Sequence, residues 1–437
     1  MKRTLLAIPV LALAAITAMG DAPAPLPSPL DLRAAIGYSL EHNYAIQQAK
    51  EAIRLQEGVI VQVRSQEIPN LGAQGEWERN AAAISSTYPA SSSLWAVDLK
   101  ATQTLFAGGG VMSSIRGAKL TRDAAALDLQ TAIDTALLDV RTKFYNVLLD
   151  REKIRVEEEN VHLYEHQLAD TKNQYESGSV SNFEVLRAKV YLANAQPNLI
   201  TARNDYRIAI EQLRQAMGTP SGASFPEVEG DLNFEPATYD PAAALGSAHE
   251  HRPELLRLDK VQRAAEEAVT TARSGLYPNL QAFGSYQWDG FSFANPLYGS
   301  PTANGWTVGL QSTWAVFDGR ATEGKVRQAK SQLEQARLSR ASEELEVDLE
   351  VRQALSTLQE AGELVNASRQ TIEQAAEALR LADAKFHAGS ATQLDVLTSQ
   401  VALTQAKTDQ LTANYNYLVA LANVRKAIGF SDALVNP

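Results

Sequence analysis

The 437-residue chain contains no cysteine. That excludes a disulfide, a thiolate nucleophile, a cysteine zinc site and lipid attachment through an N-terminal Cys. Methionine is scarce too, at four residues, so no thioether path for soft metal ions is visible. Positive charge is in deficit: 40 Lys and Arg stand against 51 Asp and Glu, a net −11, and a chain without a basic field does not attract nucleic acid at physiological salt. With 21% charged and 45% hydrophobic residues, the composition fits a folded chain and argues against both global disorder and a bundle of transmembrane helices. Glu157-Glu158-Glu159 reads as a solvated helix face. His162 and His166 are four residues apart, a spacing at which isolated pairs are usually solvated, and no metal site is expected. His249 and His251 read as a helix end. No Ser/His/Asp grouping is recoverable, and Gly108-Gly109-Gly110 lacks the Lys and Ser/Thr of a phosphate loop. No cofactor and no enzymatic activity are expected.

The one apolar run lies at the start. Lys2 and Arg3 precede Leu5 to Met19, and Ala18-Met19-Gly20 offers small residues for cleavage. Residues 1–20 therefore read as a secretory signal peptide; about 15 apolar residues interrupted by Pro9 are short of the roughly 20 that span a bilayer. Residues 21–29 form a stiff, proline-rich leader.

The remainder of the chain is organised by an internal duplication. Residues 175–218 align without gaps on 386–429, with 14 of 44 positions identical, among them Gly178/Gly389, Leu186/Leu397, Tyr206/Tyr417 and Gly218/Gly429. In the same register Trp95 falls on Trp306, Phe106 on Phe317 and Ala118-Lys119 on Ala329-Lys330; Pro69-Asn70-Leu71 falls on Pro278-Asn279-Leu280 at an offset two residues shorter. The first repeat is read as 21–218 and the second as 253–429, joined by a linker over 219–252 and followed by a tail over 430–437.

Each repeat switches from helical to extended periodicity and back. Val351, Ala354, Leu358, Ala361, Val365, Ile372, Ala375, Leu379, Ala382 and Phe386 trace a heptad seam rich in alanine. A long helix is expected over 320–387 and its counterpart over 112–176, which has no proline. At 1.5 Å per residue the latter would run roughly 98 Å. Gly178 and Gly389 stop these helices, and return helices follow over 180–217 and 391–428. The segments at 31–67 and 253–274 also read as helical. Lengths match if two short helices stack end to end along one long one. Pro197 should bend the first return helix.

Four segments alternate with period two: 69–80, 94–106, 278–289 and 304–317. Trp95, Val97 and Leu99 oppose Asp98, Lys100 and Thr102, and Trp306, Val308, Leu310 and Trp314 oppose Thr307, Gln311 and Thr313. Length, alternation and terminal aromatics suit transmembrane barrel strands with those apolar residues facing lipid. Each pair is joined by a small-residue loop, Asn80 to Ser93 and Gly290 to Ala303. Four strands cannot close a barrel, which takes about eight, and lipid tolerates no open strand edge. Several copies must therefore build the wall. Pro69 and Pro278 should redirect the chain into the sheet, and Gly108 and Gly319 out of it, the glycine triplet acting as a flexible bend.

The signal peptide, the duplication, the strand pairs between very long helices, and the phrases Phe317-Asp318-Gly319-Arg320 and Gly389-Ser390-Ala391-Thr392-Gln393-Leu394-Asp395-Val396-Leu397 together resemble the TolC-like outer membrane efflux protein family over about residues 31–430. The resemblance implies a mainly α chain with a membrane β part: a homotrimer in which four strands per chain make a twelve-stranded β-barrel, continued by an α-barrel tunnel across the periplasm. It implies an equatorial belt, built here from 219–252 and lean because the tail is short. It also implies passive conduction, from the periplasm or a pump to the exterior, for an inner-membrane pump coupled through a periplasmic adaptor protein, with small molecules or polypeptides as cargo. The two hairpin turns would form a closed periplasmic tip. The family's acidic residue six after the turn glycine corresponds to Asp395, and to Glu184 in the first repeat; a ring of three such groups would favour cations and raise the carboxylate pKa values. The family's second acid is Thr398 here, its turn Arg is Ala391 and its hydrogen-bonding Tyr is Phe386, so its polar latch is absent. The competing expectation is a periplasmic or surface coiled-coil scaffold without a pore.

Overall fold

The computed structural model describes residues 28–79, 91–220, 225–293 and 299–430, together with Leu26 and Leu297. The signal-peptide and leader segments, most of the first strand-joining loop and all but Phe430 of the tail lie outside the described residues. Each repeat lays down the same six elements. The first comprises α1 (Leu32–His42), α2 (Tyr44–Arg64), β1 (Asn70–Arg79), β2 (Ser91–Ala107), α3 (Gly110–Glu176) and α4 (Asn182–Met217). The second comprises α5 (Pro241–His251), α6 (Pro253–Arg273), β3 (Asn279–Phe293), β4 (Thr302–Thr313), α7 (Ala321–His387) and α8 (Gln393–Ala427). Both α3 and α7 have 67 residues, about 100 Å each.

Side-chain capping sets several of these boundaries. Asn43 separates α1 from α2: its backbone is extended, and its Oδ1 accepts from the amides of Ala45 and Ile46. Asp31 and Asp240 cap α1 and α5 in the same way, accepting from Ala34 and Ala243 at 2.7 and 2.8 Å. Pro197 lies inside α4, which runs through it as one helix.

The helices form one layer. Helix α3 packs against α2 and α4 on one side and α6 and α8 on the other, and α7 packs against α6 and α8. The short helices thus lie in pairs along the long ones, and the layer ends at α2 and α4 on one edge and at α7 on the other. The four antiparallel strands are hydrogen-bonded in the order β1-β2-β3-β4. Since α2 feeds β1, β2 feeds α3, α6 feeds β3 and β4 feeds α7, sheet and helical layer share one lateral order.

The core sits midway along the long helices. Leu137, Val140, Phe144, Val147 and Leu148 of α3 are buried with Ile36, Leu213 and Met217; Val347, Val351, Leu358 and Val365 of α7 are buried with Ala248, Tyr417 and Val424. A strap from the linker closes over both. Leu30 exchanges backbone hydrogen bonds with Glu227 and Glu229, both 2.9 Å. Arg151 donates to the carbonyls of Val228 and Gly230 at 2.8 and 2.7 Å, and Tyr417 Oη accepts from the Ala237 amide at 2.8 Å while its ring stacks on Phe234.

Candidate pore wall and periplasmic tip

Strand register sorts the sheet into two faces. Leu99 is opposite Tyr286, which is opposite Trp306; Val97 is opposite Trp288; Trp77, Trp95 and Gly290 share a row; Ala101, Gly284 and Val308 share another; and Ala282 is opposite Leu310. Trp95, Val97, Leu99, Trp306, Val308 and Leu310 therefore lie on one apolar face, and all six are exposed in the single chain. The opposite face carries Gln74, Glu76, Asp98, Lys100, Thr102, Ser285, Gln287 and Thr307. Phe283 breaks that polar face. Its ring fills the space left by Gly309, where a Cβ would lie 2.9 Å from it, and the Lys100 ammonium stands 5.7 Å from the ring centroid.

The junctions differ from expectation in two respects. Strand β4 stops at Thr313, so Trp314, Val316 and Phe317 belong to the turn and not to a strand reaching 317. Trp314 Nε1 donates to the Leu276 carbonyl at 3.2 Å, which holds the indole at the rim. The expected flexible bend at Gly108-Gly109-Gly110 is instead a packed left-handed turn: Gly108 and Gly109 have φ of 57° and 80°, and a Cβ on Gly108 would lie 2.8 Å from the Ser274 carbonyl. Gly319 and Arg320 repeat it at φ 66° and 72°, with Asp318 Oδ2 accepting from the Thr322 amide and hydroxyl at 2.7 and 2.6 Å. On the entering side, Ile68 and Tyr277 are extended, as the residue before a proline must be, and Pro69 and Pro278 lead directly into β1 and β3.

At the far end the helices reverse through matched caps. Gly178 and Gly389, at φ 76° and 74°, follow the last turns of α3 and α7. Ser179 and Gly178 donate to Gln174 and Tyr175, and Ser390 and Gly389 to Lys385 and Phe386, the double hydrogen bond of a Schellman motif. The acids after these turns diverge. Asp395 closes a capping box with Thr392: its Oδ2 accepts from the Thr392 amide and hydroxyl, both at 2.7 Å. Those bonds hold its carboxyl below the ordinary value. The direction within the chain is thus opposite to the rise expected from a ring of like charges. Glu184, at the equivalent position, forms an ion pair with Arg187. The Thr392-x-x-Asp395 pattern was the sequence signal for this box.

Sequence reasoning missed three polar links that tie α8 of the second hairpin to α3 of the first. Gln393 Nε2 donates to Thr171 Oγ1 at 2.8 Å, a buried bond. Thr404 and Asn160 are 3.3 Å apart, and Lys407 Nζ meets Glu159 at 2.9 Å, holding that carboxyl below its usual range. Leu397, Tyr164 and Ala195 form a small buried cluster joining α8, α3 and α4. The chain's own pairing signals hid these links, because their partners are 222 to 248 residues apart.

The histidines hold no cluster. His162 and His166 stack with ring centroids 4.5 Å apart, and His249 Nε2 lies 2.6 Å from Asp348. Among the described residues no group of three or more His, Asp or Glu could hold a metal ion.

The sequence profile described as outer membrane efflux protein matches residues 35–219 and 244–430, most of both repeats. The chain belongs to that family. It is 27% identical over 395 residues to the outer membrane protein TolC of Escherichia coli (strain K12), covering 85% of this chain and 76% of that one. The structure of CusC superposes with a TM-score of 0.78 at 16% identity over 92% of both chains, and that of VceC from Vibrio cholerae with 0.77 at 16% identity over 92% and 96%. The fold is that of a TolC-like channel, with a helical tunnel and barrel strands supplied by each chain. The protein is an outer membrane channel of tripartite efflux or secretion systems, its helical part extending through the periplasm. A scaffold without a pore does not accord with that membership.

Proposed function

We propose that three copies of the chain close into one conduit: a twelve-stranded barrel whose apolar face meets lipid and whose polar face lines the lumen, continued by a tunnel of helices that ends at the Gly178 and Gly389 turns. The shared lateral order of strands and helices carries this reading. Strand β1 is exposed along its whole length and β4 along nearly all of it, so each copy offers two open edges that lipid cannot tolerate. The helical edges match them, with Leu55 and Val61 on α2, Phe183, Leu186 and Ile200 on α4, and Leu338, Leu345 and Leu349 on α7 all exposed. One copy's β4 and α7 thus meet the next copy's β1 and α2.

Conduction is passive, and energy comes from an inner-membrane pump engaged through a periplasmic adaptor at the tip. Three copies of Asp395 line the constriction and favour cations; Glu184, neutralised by Arg187, contributes less. Closure rests on the α3–α8 links and not on the polar groups that Phe386, Ala391 and Thr398 replace. Cargo extends from small molecules to polypeptides, because such a lumen contacts its load loosely and the pump selects it.

Engineered disulfides test the closure. The native chain has no cysteine, and within one chain β1 and β4 are three strand spacings apart, about 14 Å, beyond the roughly 7 Å that a disulfide can bridge. Cysteine pairs scanned along β1 and β4 should therefore yield covalent trimers at matching registers. If every pair stays monomeric on a denaturing gel, the proposed edge pairing is wrong.

A further inference from the structure

The ends of the long helices next to the sheet carry a charge pattern opposite to that of the whole chain. In the turns and helix ends at 64–69, 108–123, 266–278 and 314–330, nine Lys and Arg stand against six Asp and Glu, a local excess of three positive charges, and four of the six carboxylates are ion-paired. Glu67 and Asp123 pair with Arg64 and Arg122; Glu267 takes Arg116 through two bonds of 2.8 Å, and Glu266 accepts from Gln262. Asp318 caps α7 through Thr322, and Glu323 is shared by Arg320 and Arg327. Four exposed cations in the same zone, Lys119, Arg273, Lys325 and Lys330, have no ion-pair partner among the described residues. Two of them are related by the duplication, Lys119 and Lys330 each standing nine residues into a long helix.

Their height is fixed by the aromatic residues beside them. Tyr277, Trp314 and Phe317 are 56%, 56% and 82% exposed at the rim, where amphipathic rings mark a bilayer–water boundary. Arg273 ends α6 at that level, Lys325 lies about 6 Å along α7, and the other two lie about 14 Å down their helices. With long side chains that reach back toward the boundary, they stand within or just beyond a Debye length of about 8 Å from a headgroup layer.

We propose that Lys119, Arg273, Lys325 and Lys330, three times repeated, form a basic collar that binds the headgroups of anionic phospholipids in the periplasmic leaflet. The inference rests on the barrel reading, and adds a lipid specificity that closure alone does not require. A cation without an ion pair near a membrane surface attracts anionic lipid, and the local positive excess remains after Glu266 and Asp318, which are held by neutral donors, are counted.

The full chain, purified as a detergent-extracted particle and placed in phosphatidylcholine nanodiscs with or without phosphatidylglycerol, provides the test. Lipid retained after extraction from the discs is read by native mass spectrometry. Phosphatidylglycerol should be enriched about tenfold over its share of the disc. The Lys119→Gln, Arg273→Gln, Lys325→Gln, Lys330→Gln variant should lose that enrichment while keeping its trimeric mass and helical content. A control with Lys172→Gln and Lys189→Gln near the tip should keep it, and excess inorganic phosphate should not abolish it. Equal retention of both lipids, enrichment that survives the fourfold variant, or loss in the tip control would overturn the collar and leave the barrel standing. Failure of the native chain to enter discs at all would overturn both.

Discussion

Gln393, the first residue of α8, donates its side-chain amide to Thr171 of α3 across 2.8 Å, and both side chains are buried. The bond fastens one helical hairpin to the other one turn beyond the Gly389 reversal. Thr171 also donates to the Gln167 carbonyl at 2.7 Å, so its hydroxyl is fixed to accept from Gln393. Replacing Thr171 by Val keeps the shape and leaves the Gln393 amide unsatisfied, at a cost of about 1–3 kcal/mol. The Thr171→Val channel should open more often in planar bilayers, and Lys407→Gln should add to this. Combining Thr171→Val with Gln393→Leu should recover stability, since no buried donor is then stranded, yet leave the gate loose. An open probability equal to that of the native channel in all three would show that these bonds do not hold the tip.

The two repeats are clasped at the same place by different chemistry. Asn43 Nδ2 donates to the Ala216 carbonyl at 2.8 Å, and Arg252, at the equivalent joint, donates to Ala427 at 3.3 Å. Gly218 and Gly429 back onto these joints: a Cβ on Gly218 would lie 2.4 Å from the His42 carbonyl oxygen, and one on Gly429 would lie 2.9 Å from the His251 carbonyl carbon. Both also have φ near +70°, at 76° and 68°. Gly218→Ala or Gly429→Ala should each cost about 1–3 kcal/mol. Gly37→Ala in α1, with open space around the site, should be neutral or stabilising by about 0.5–1 kcal/mol. Thermal melts of the detergent-solubilised particle compare the three; an unchanged melting temperature for Gly218→Ala would contradict the clasp.

Asp395 gives a pH prediction whose sign follows from its bonds. Its folded value is depressed by the Thr392 amide and hydroxyl, so the stabilisation it gives the α8 start is present above the ordinary carboxylate range and is lost as pH falls through the folded value. If Asp395 sets selectivity, cation preference should hold as pH falls through the ordinary carboxylate range and collapse only below it. Asp395→Ala should lower the preference at every pH. Reversal potentials under a salt gradient measure both, and a variant indistinguishable from the native channel removes Asp395 from the pore.

Trp95 covers Gly290 so closely that a Cβ there would lie 2.1 Å from the indole nitrogen. The pair forms a row of the apolar face, where a small residue is the only way to seat the ring. Gly290→Val should therefore impair barrel assembly, read as loss of the heat-modifiable band on gels. Trp95→Ala in the same background should restore part of it.

The duplication, the strand faces and the long helices were legible because each is a local periodicity repeated twice. Phe283 interrupts the period-two alternation of 278–289, and its reason lies in Gly309 on the next strand, a pairing that no local pattern encodes. The end of β4 was misplaced for a related cause: apolar alternation continues through Trp314 and Val316, while the chain has already turned to seat Trp314 on the Leu276 carbonyl. At the tip, the turn glycines could be read from where the helical periodicity stops, and Asp395 only from the resemblance to the family. The capping box was written in Thr392 and Asp395, and it reverses the direction of the single-chain pKa. The α3–α8 links were hidden, since ordinary Thr, Gln, Lys and Glu side chains acquire their role only when distant helices meet.

Electron cryomicroscopy of the detergent-purified particle counts chains and strands in one image. Three chains around one axis, twelve strands enclosing a lumen, and helices running on for about 100 Å below them are the expected result. A particle of one chain, or an assembly with no continuous lumen between barrel and tip, would contradict it.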